Sequence, residues 1–142
     1  MRPIQLSMTA VLPAMMTLLA GVLTSSQAQD SSSSKLPSGS YILLLKEGDQ
    51  APPQAIGEWE LQLDSAGSYR WLRGADVMVE GDYRIQADTV LLVDRVGGEL
   101  ACEGTGRYLW HTVPEGLQFA EIEDSCGPRP ILLGTRPLSR KR

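Results

Sequence analysis

The chain has 142 residues with 13 basic and 17 acidic side chains, a net charge of -4. That length holds one domain, and a chain of this size buries enough surface to fold alone, though with little margin. No lysine or arginine cluster lies inside the expected domain. A face that could neutralise phosphates is therefore missing, and nucleic acid is not an expected partner.

In chain order, the N-terminus reads as a secretory signal peptide over residues 1–28. Arg2 is its only charge, Met8 to Leu23 is mostly apolar, and Ser26-Gln27-Ala28 offers small residues for cleavage after Ala28. Pro13 and Gly21 interrupt the apolar run, which falls short of the roughly 20 residues of a spanning helix. Val22 follows Leu19-Ala20-Gly21 where a lipobox needs cysteine, so no membrane anchor is expected after cleavage. Removing 1–28 takes one basic and no acidic residue. Thirteen basic residues become 12 against 17 acids, a mature charge of about -5. The expected compartment is extracellular or periplasmic. Residues 29–38, with four consecutive serines, read as a flexible leader, since such a segment buries too little to offset its ordering entropy.

Strand signals then follow one another over residues 39–135, the expected barrel domain. Tyr41 to Lys46 is almost wholly apolar, and Glu47 to Pro53 is an acidic, proline-marked loop. Trp59, Leu61 and Leu63 alternate with Glu58, Glu60, Gln62 and Asp64, the clearest period of two in the chain. Asp64 to Gly67 turns into Ser68 to Arg73, a hairpin. Val77 to Gln86 carries Gly81 at a point suited to a bulge. Thr89 to Val93, Gly106 to Thr112 and Leu117 to Glu123 are further strands. A short one near Leu100-Ala101-Cys102 is an option, and Pro130 to Leu133 is read as the last. The basic 136–142 reads as a solvated tail, and no segment has helical spacing over ten residues. About eight short strands joined by tight turns predict an all-β fold, a small antiparallel up-and-down β-barrel. A two-sheet sandwich is the alternative.

Five glycines precede an aromatic residue by two positions: Gly39, Gly57, Gly67, Gly81 and Gly106. Their uneven spacing argues against a repeated module. They read instead as bend-and-fill units, in which glycine lets a strand bend and a neighbouring ring covers the bare backbone.

With these motifs the chain resembles the calycin group of lipocalin-like barrels, in particular short secreted bacterial members with one disulfide. The carrying residues are Gly57-Glu58-Trp59, Gly67-Ser68-Tyr69, Val79 to Tyr83, Asp88 to Leu92, Cys102 with Gly106 to Trp110, and Leu117-Gln118-Phe119 before Asp124-Ser125-Cys126. The resemblance implies a late arginine packed across Trp59, and Arg129 or Arg136 could supply it. Two departures stand out: a strand precedes Gly57-Glu58-Trp59, and no C-terminal helix is expected.

Two cysteines, Cys102 and Cys126, form an even pair in an oxidising compartment, which points to a disulfide. The rival, zinc, needs further ligands where the chain has a single His111. Tyr41, Trp59, Tyr69, Trp71, Tyr83, Tyr108, Trp110 and Phe119 share the inward face and are the candidate ligand-binding residues. They either fill the interior or line a pocket for one small ligand. No catalytic or metal site is expected and no cofactor. His111 alternates away from the rings, no serine sits in a G-x-S-x-G elbow, and the strand-face acid pairs read as solvated charge. Asp94 to Glu99 is only a weak match to a calcium loop. Two functions follow as expectations: a non-enzymatic secreted barrel binding a small apolar or aromatic ligand, or a protein-interaction module such as a protease inhibitor or envelope scaffold.

Overall fold

The computed structural model describes residues 35–142. The expected signal peptide and residues 29–34 of the expected leader lie outside them. Eight strands run in chain order: β1 (Gly39–Leu45), β2 (Gly57–Leu63), β3 (Ser68–Arg73), β4 (Asp76–Gln86), β5 (Thr89–Val96), β6 (Thr105–Val113), β7 (Gly116–Glu123) and β8 (Leu138–Arg140). Each pairs antiparallel with the next, and β8 also pairs with β1, so one sheet closes on itself. Closure removes the exposed edges that a two-sheet sandwich would keep. No described helix is long and apolar enough to cross a membrane.

The eighth strand is not the segment expected. Pro128–Gly134, which contains the expected strand Pro130 to Leu133, is a short helix, α1. Its prolines stand in the first turn, where a missing N–H costs nothing, and Ile131, Leu132 and Leu133 then turn toward the barrel. Closure falls to β8, inside the supposed basic tail. Leu138 is fully buried opposite Leu117, while Ser139 and Arg140 are exposed beside β1, with Arg140 opposite Tyr41. The barrel therefore runs past residue 135. It also begins earlier than 39. Leu36 is 1% exposed, and the Pro37 carbonyl accepts the Tyr41 hydroxyl at 2.9 Å, so the end of the leader is part of the fold. No strand forms at Leu100 to Cys102; a 3-10 turn occupies Gly98–Leu100.

Large rings face inward and charge faces outward. Trp59 lies opposite Leu43, Trp71 opposite Leu61 and Val79, and Tyr108 opposite Val90. The outer face carries Glu60, Arg70 and Glu80, the reverse of the polarity of a bilayer-spanning barrel. Gly81 sits at a register shift against β5, where the sheet bends. It lies opposite Tyr69, and a Cβ there would stand 2.3 Å from the Val93 carbonyl oxygen and 2.4 Å from the Tyr69 ring. The ring covers the bare backbone, as the glycine-aromatic units predict.

The antiparallel order gives the barrel two ends. The turns at 64–67, 87–88 and 114–115 lie at one, with Leu36. The loops at 46–56, 97–104 and 124–137, with α1, lie at the other, the helix end. Because β8 closes the sheet, Leu138→Ala should destabilise the protein by about 2–5 kcal/mol, measured by chemical denaturation. A chain ending at residue 135 should not fold cooperatively. A change within about 0.5 kcal/mol for Leu138→Ala, the ordinary surface value, would mark 136–142 as a mere tail.

Candidate functional site

Arg129 projects from the first turn of α1 into the barrel and is 4% exposed. Its Nε and Nη2 donate to the two oxygens of Asp124 at 2.6 and 2.9 Å. Nη1 lies 3.2 Å from Asp94 and donates to the Leu92 carbonyl at 3.3 Å, and Nη2 also reaches the Gly104 carbonyl at 3.4 Å. Both carboxylates are as buried as the cation, with side chains 3% exposed at Asp94 and 0% at Asp124. Two tyrosines complete the group from the core: Tyr108 donates to Asp124 at 2.5 Å and Tyr69 donates to Asp94. Gly106 leaves the room, since a Cβ there would stand 2.3 Å from Asp124 Oδ2 and 2.8 Å from Arg129 Nε.

The Cys102–Cys126 disulfide spans this cluster, with a Cα–Cα distance of 5.5 Å. The Cys102 N–H donates to Asp94 at 2.8 Å and the Cys126 N–H to Asp124 at 2.9 Å. One covalent bond therefore fixes a backbone donor to each buried carboxylate. The sulfurs also lie within 4.8 Å of Asp94, but they are bonded to each other and offer no thiolate, so the zinc reading falls. The calcium reading of Asp94 to Glu99 falls as well, because Asp94 turns inward to Arg129. Every N–H direction of Arg129 has an acceptor, and each carboxylate has several donors. That leaves no free valence for a substrate, and the cluster acts as a closure.

The ring-bearing residues distribute unevenly. Tyr41, Tyr69, Trp71, Tyr108 and Phe119 are buried in the barrel core, and Trp59 is buried near the helix end. Tyr83 and Trp110 are half-buried against the core. The Tyr83 hydroxyl donates to the Asp64 carbonyl at 2.5 Å, whereas the buried Trp110 indole N–H has no partner among the described residues. His111 is exposed on the outer face.

Of these eight, Trp59 alone lines the large apolar groove at the helix end. The groove has a volume of about 490 Å³. One wall is the 3-10 turn Pro53–Ala55 with Pro52, and the other is α1 through Pro128, Ile131 and Leu132. Met78 and Leu100 lie between them. The first wall is held by three consecutive carbonyls. Arg73 donates to Gln54 and Ile56 at 2.6 Å each, and the Trp59 indole donates to Ala55 at 2.8 Å. The Arg73 guanidinium lies over the Trp59 ring, 5.0 Å from its centroid. Arg136 ties the Lys46–Asp49 turn to the chain after α1 through a bidentate pair with Asp49, with contacts of 2.6 to 3.0 Å. The arginine across the tryptophan is therefore Arg73, from the neighbouring strand, and not Arg129 or Arg136.

The groove escaped the sequence reading because α1 builds half of it. The signal was present in Pro128 and Pro130 ahead of Ile131-Leu132-Leu133-Gly134, proline in the first turn and glycine at the end. Fold and site together define a small disulfide-bonded, closed up-and-down barrel with an apolar groove at one end. Comparison with family models, curated proteins and solved structures finds no match.

The buried cluster sets the pH dependence. Burial pushes the Asp124 carboxyl up, but Arg129, the Tyr108 hydroxyl and the Cys126 N–H together outweigh it and hold the group below the usual carboxylate range. A depressed folded value contributes stability above the unfolded value of about 3.9, and that stability is lost as pH falls through the folded value. Burial, reinforced by Asp94 and Asp124, pushes Tyr69 and Tyr108 far up. Their contribution is complete below about pH 10 and is lost above it. Denaturant midpoints should thus fall below about pH 4 and above about pH 10. Asp124→Asn should flatten the acid limb. Tyr69 and Tyr108 should form tyrosinate only with unfolding, and a smooth titration of all four tyrosines near pH 10 in folded protein would contradict the burial.

Proposed function

We propose that this chain is a non-enzymatic secreted binding barrel that holds a small apolar ligand in the groove at its helix end. The groove itself carries the reading: about 490 Å³ of preformed space with apolar walls and two oriented polar groups at Trp59 and Arg73. Small-molecule sites fall in the range of about 300–1,000 Å³ and have this mix of lining. The ligand sits at the mouth of the barrel, beside Trp59, while the other rings fill the core. A non-catalytic role is supported by the saturated valences of the Arg129 cluster and by the outward position of His111. The disulfide supports an extracellular or periplasmic location. Kinship with the calycins is supported by the closed eight-strand meander, whereas the arginine over Trp59 comes from β3 and not from late in the chain as that resemblance implies.

A protein partner is the second reading. Val93, Leu109 and Ile122 are 41%, 41% and 44% exposed on the outer face of the neighbouring strands β5, β6 and β7. Apolar side chains left in water on a sheet face are the kind of surface a protein contact would cover.

Titration with a panel of apolar ligands, followed by tryptophan fluorescence and thermal shift, separates the two. On the groove reading, at least one ligand class perturbs Trp59 and raises Tm, and Ile131→Glu weakens binding tenfold or more while the fold persists. A panel that saturates without shift or quench would remove this reading and favour a protein partner. So would binding that survives Ile131→Glu.

A further inference from the structure

We infer that the groove selects amphiphilic anions, with an alkyl or aryl body along the apolar walls and a carboxylate on Arg73. The inference rests on the groove reading above and adds the chemistry of the ligand's head.

Arg73 is the cation at the groove's edge, and its charge is unspent. Two of its N–H groups go to the carbonyls of Gln54 and Ile56, which orient the guanidinium without neutralising it. None of the ion pairs among the described residues includes Arg73. Asp76 stands opposite it at the β3–β4 turn, yet their charged atoms do not come within 4 Å. Glu99, next to Leu100 of the groove, makes no pair with it either. Arg136, the other arginine near the groove, is consumed by Asp49. A guanidinium has five N–H donors, so three remain for a ligand.

Arg73 is also held in place before any ligand arrives. The Trp59 ring supports one face of the guanidinium, and the two carbonyls fix its plane. Gly57 leaves room beside it, since a Cβ there would come within 3.3 Å of Arg73 Nη2. Its backbone φ of +123° also suits glycine. A planar, preoriented guanidinium favours a carboxylate over a hydroxyl, and a cationic head would be repelled. The neighbouring wall residues Ala55, Met78, Leu100, Ile131 and Leu132 offer only apolar side-chain surface, which sets the character of the body. The head and body thus point to an amphiphilic monoanion.

The test uses decanoate and decyltrimethylammonium below their micellar concentrations and decanol below its solubility limit. They are titrated calorimetrically into the folded chain from residue 29, at neutral pH and low salt. Decanoate should bind at least tenfold tighter than decanol, decyltrimethylammonium should bind weakest, and added salt should narrow the gap. Because Arg73 also holds the Pro53–Ala55 wall, Arg73→Gln is read by the ratio of decanoate to decanol affinity, which should fall from tenfold or more to about one. Arg73→Lys should retain part of the preference. If Arg73 serves only to pin the Pro53–Ala55 wall, Arg73→Gln will weaken decanoate and decanol equally, and the inference is overturned. Equal binding of decanoate and decanol to the native protein also overturns it while leaving the groove reading intact. Failure of all three probes removes the groove reading and this inference together.

Discussion

The structure depends on one buried cation. Arg129 enters the helix end of the barrel and is held by Asp124 and Asp94, each itself almost fully buried. Moving such groups out of water costs several kcal/mol per ion, and good geometry with full hydrogen bonding is needed to offset it. The fold meets this condition with backbone donors at Cys102 and Cys126, hydroxyl donors at Tyr69 and Tyr108, and carbonyls at Leu92 and Gly104. The disulfide joins the two loops that carry those backbone donors. Its contribution is therefore positional as well as entropic, the latter being worth about 3 kcal/mol for a loop of this length.

That closure decides where open space is left. The tyrosines that could have lined a cavity spend their hydroxyls on the buried carboxylates, and their rings fill the interior. Arg129 also anchors the first turn of α1, and the rest of α1 lies over the end of the barrel. Its Ile131 and Leu132, packed on the core, then face the Pro53–Ala55 wall across an apolar groove. The interior is spent on stability, and the concave surface appears at the rim. Arg73 and Trp59 do for the groove's far wall what Arg129 does for its near one, with carbonyls in place of carboxylates.

The meander was legible in the chain because period-two alternation and turn chemistry are local properties. Trp59-Leu61-Leu63 and the turns at 64–67 and 87–88 need no tertiary partner to be recognised. The bulge at Gly81 was legible for the same reason. The last strand was not. Leu138-Ser139-Arg140 is too short to show a period and is set among basic residues, and only its pairing with both β1 and β7 makes it a strand. The Ile131-Leu132-Leu133 run was ambiguous between strand and helix, as short apolar runs are, and the proline signal decided it. The disulfide followed from the even cysteine count. The Arg129 cluster did not: Asp124 and Arg129 lie five residues apart in one segment, but Asp94 comes from β5 and joins them only when the barrel closes. Gly106 was visible as part of a glycine-aromatic unit, yet its job is to leave space for an ion pair, which no sequence spacing announces.

The most direct test of this closure is a double-mutant cycle between Arg129 and Asp124, read by chemical denaturation of the oxidised protein. Arg129→Met alone should cost about 3–5 kcal/mol, because it strands buried carboxylates. The Arg129→Met/Asp124→Asn double variant should lie well short of the sum of the single changes, with a coupling of about 2 kcal/mol or more. Single effects that add to within about 0.5 kcal/mol would show two independent groups and contradict the account.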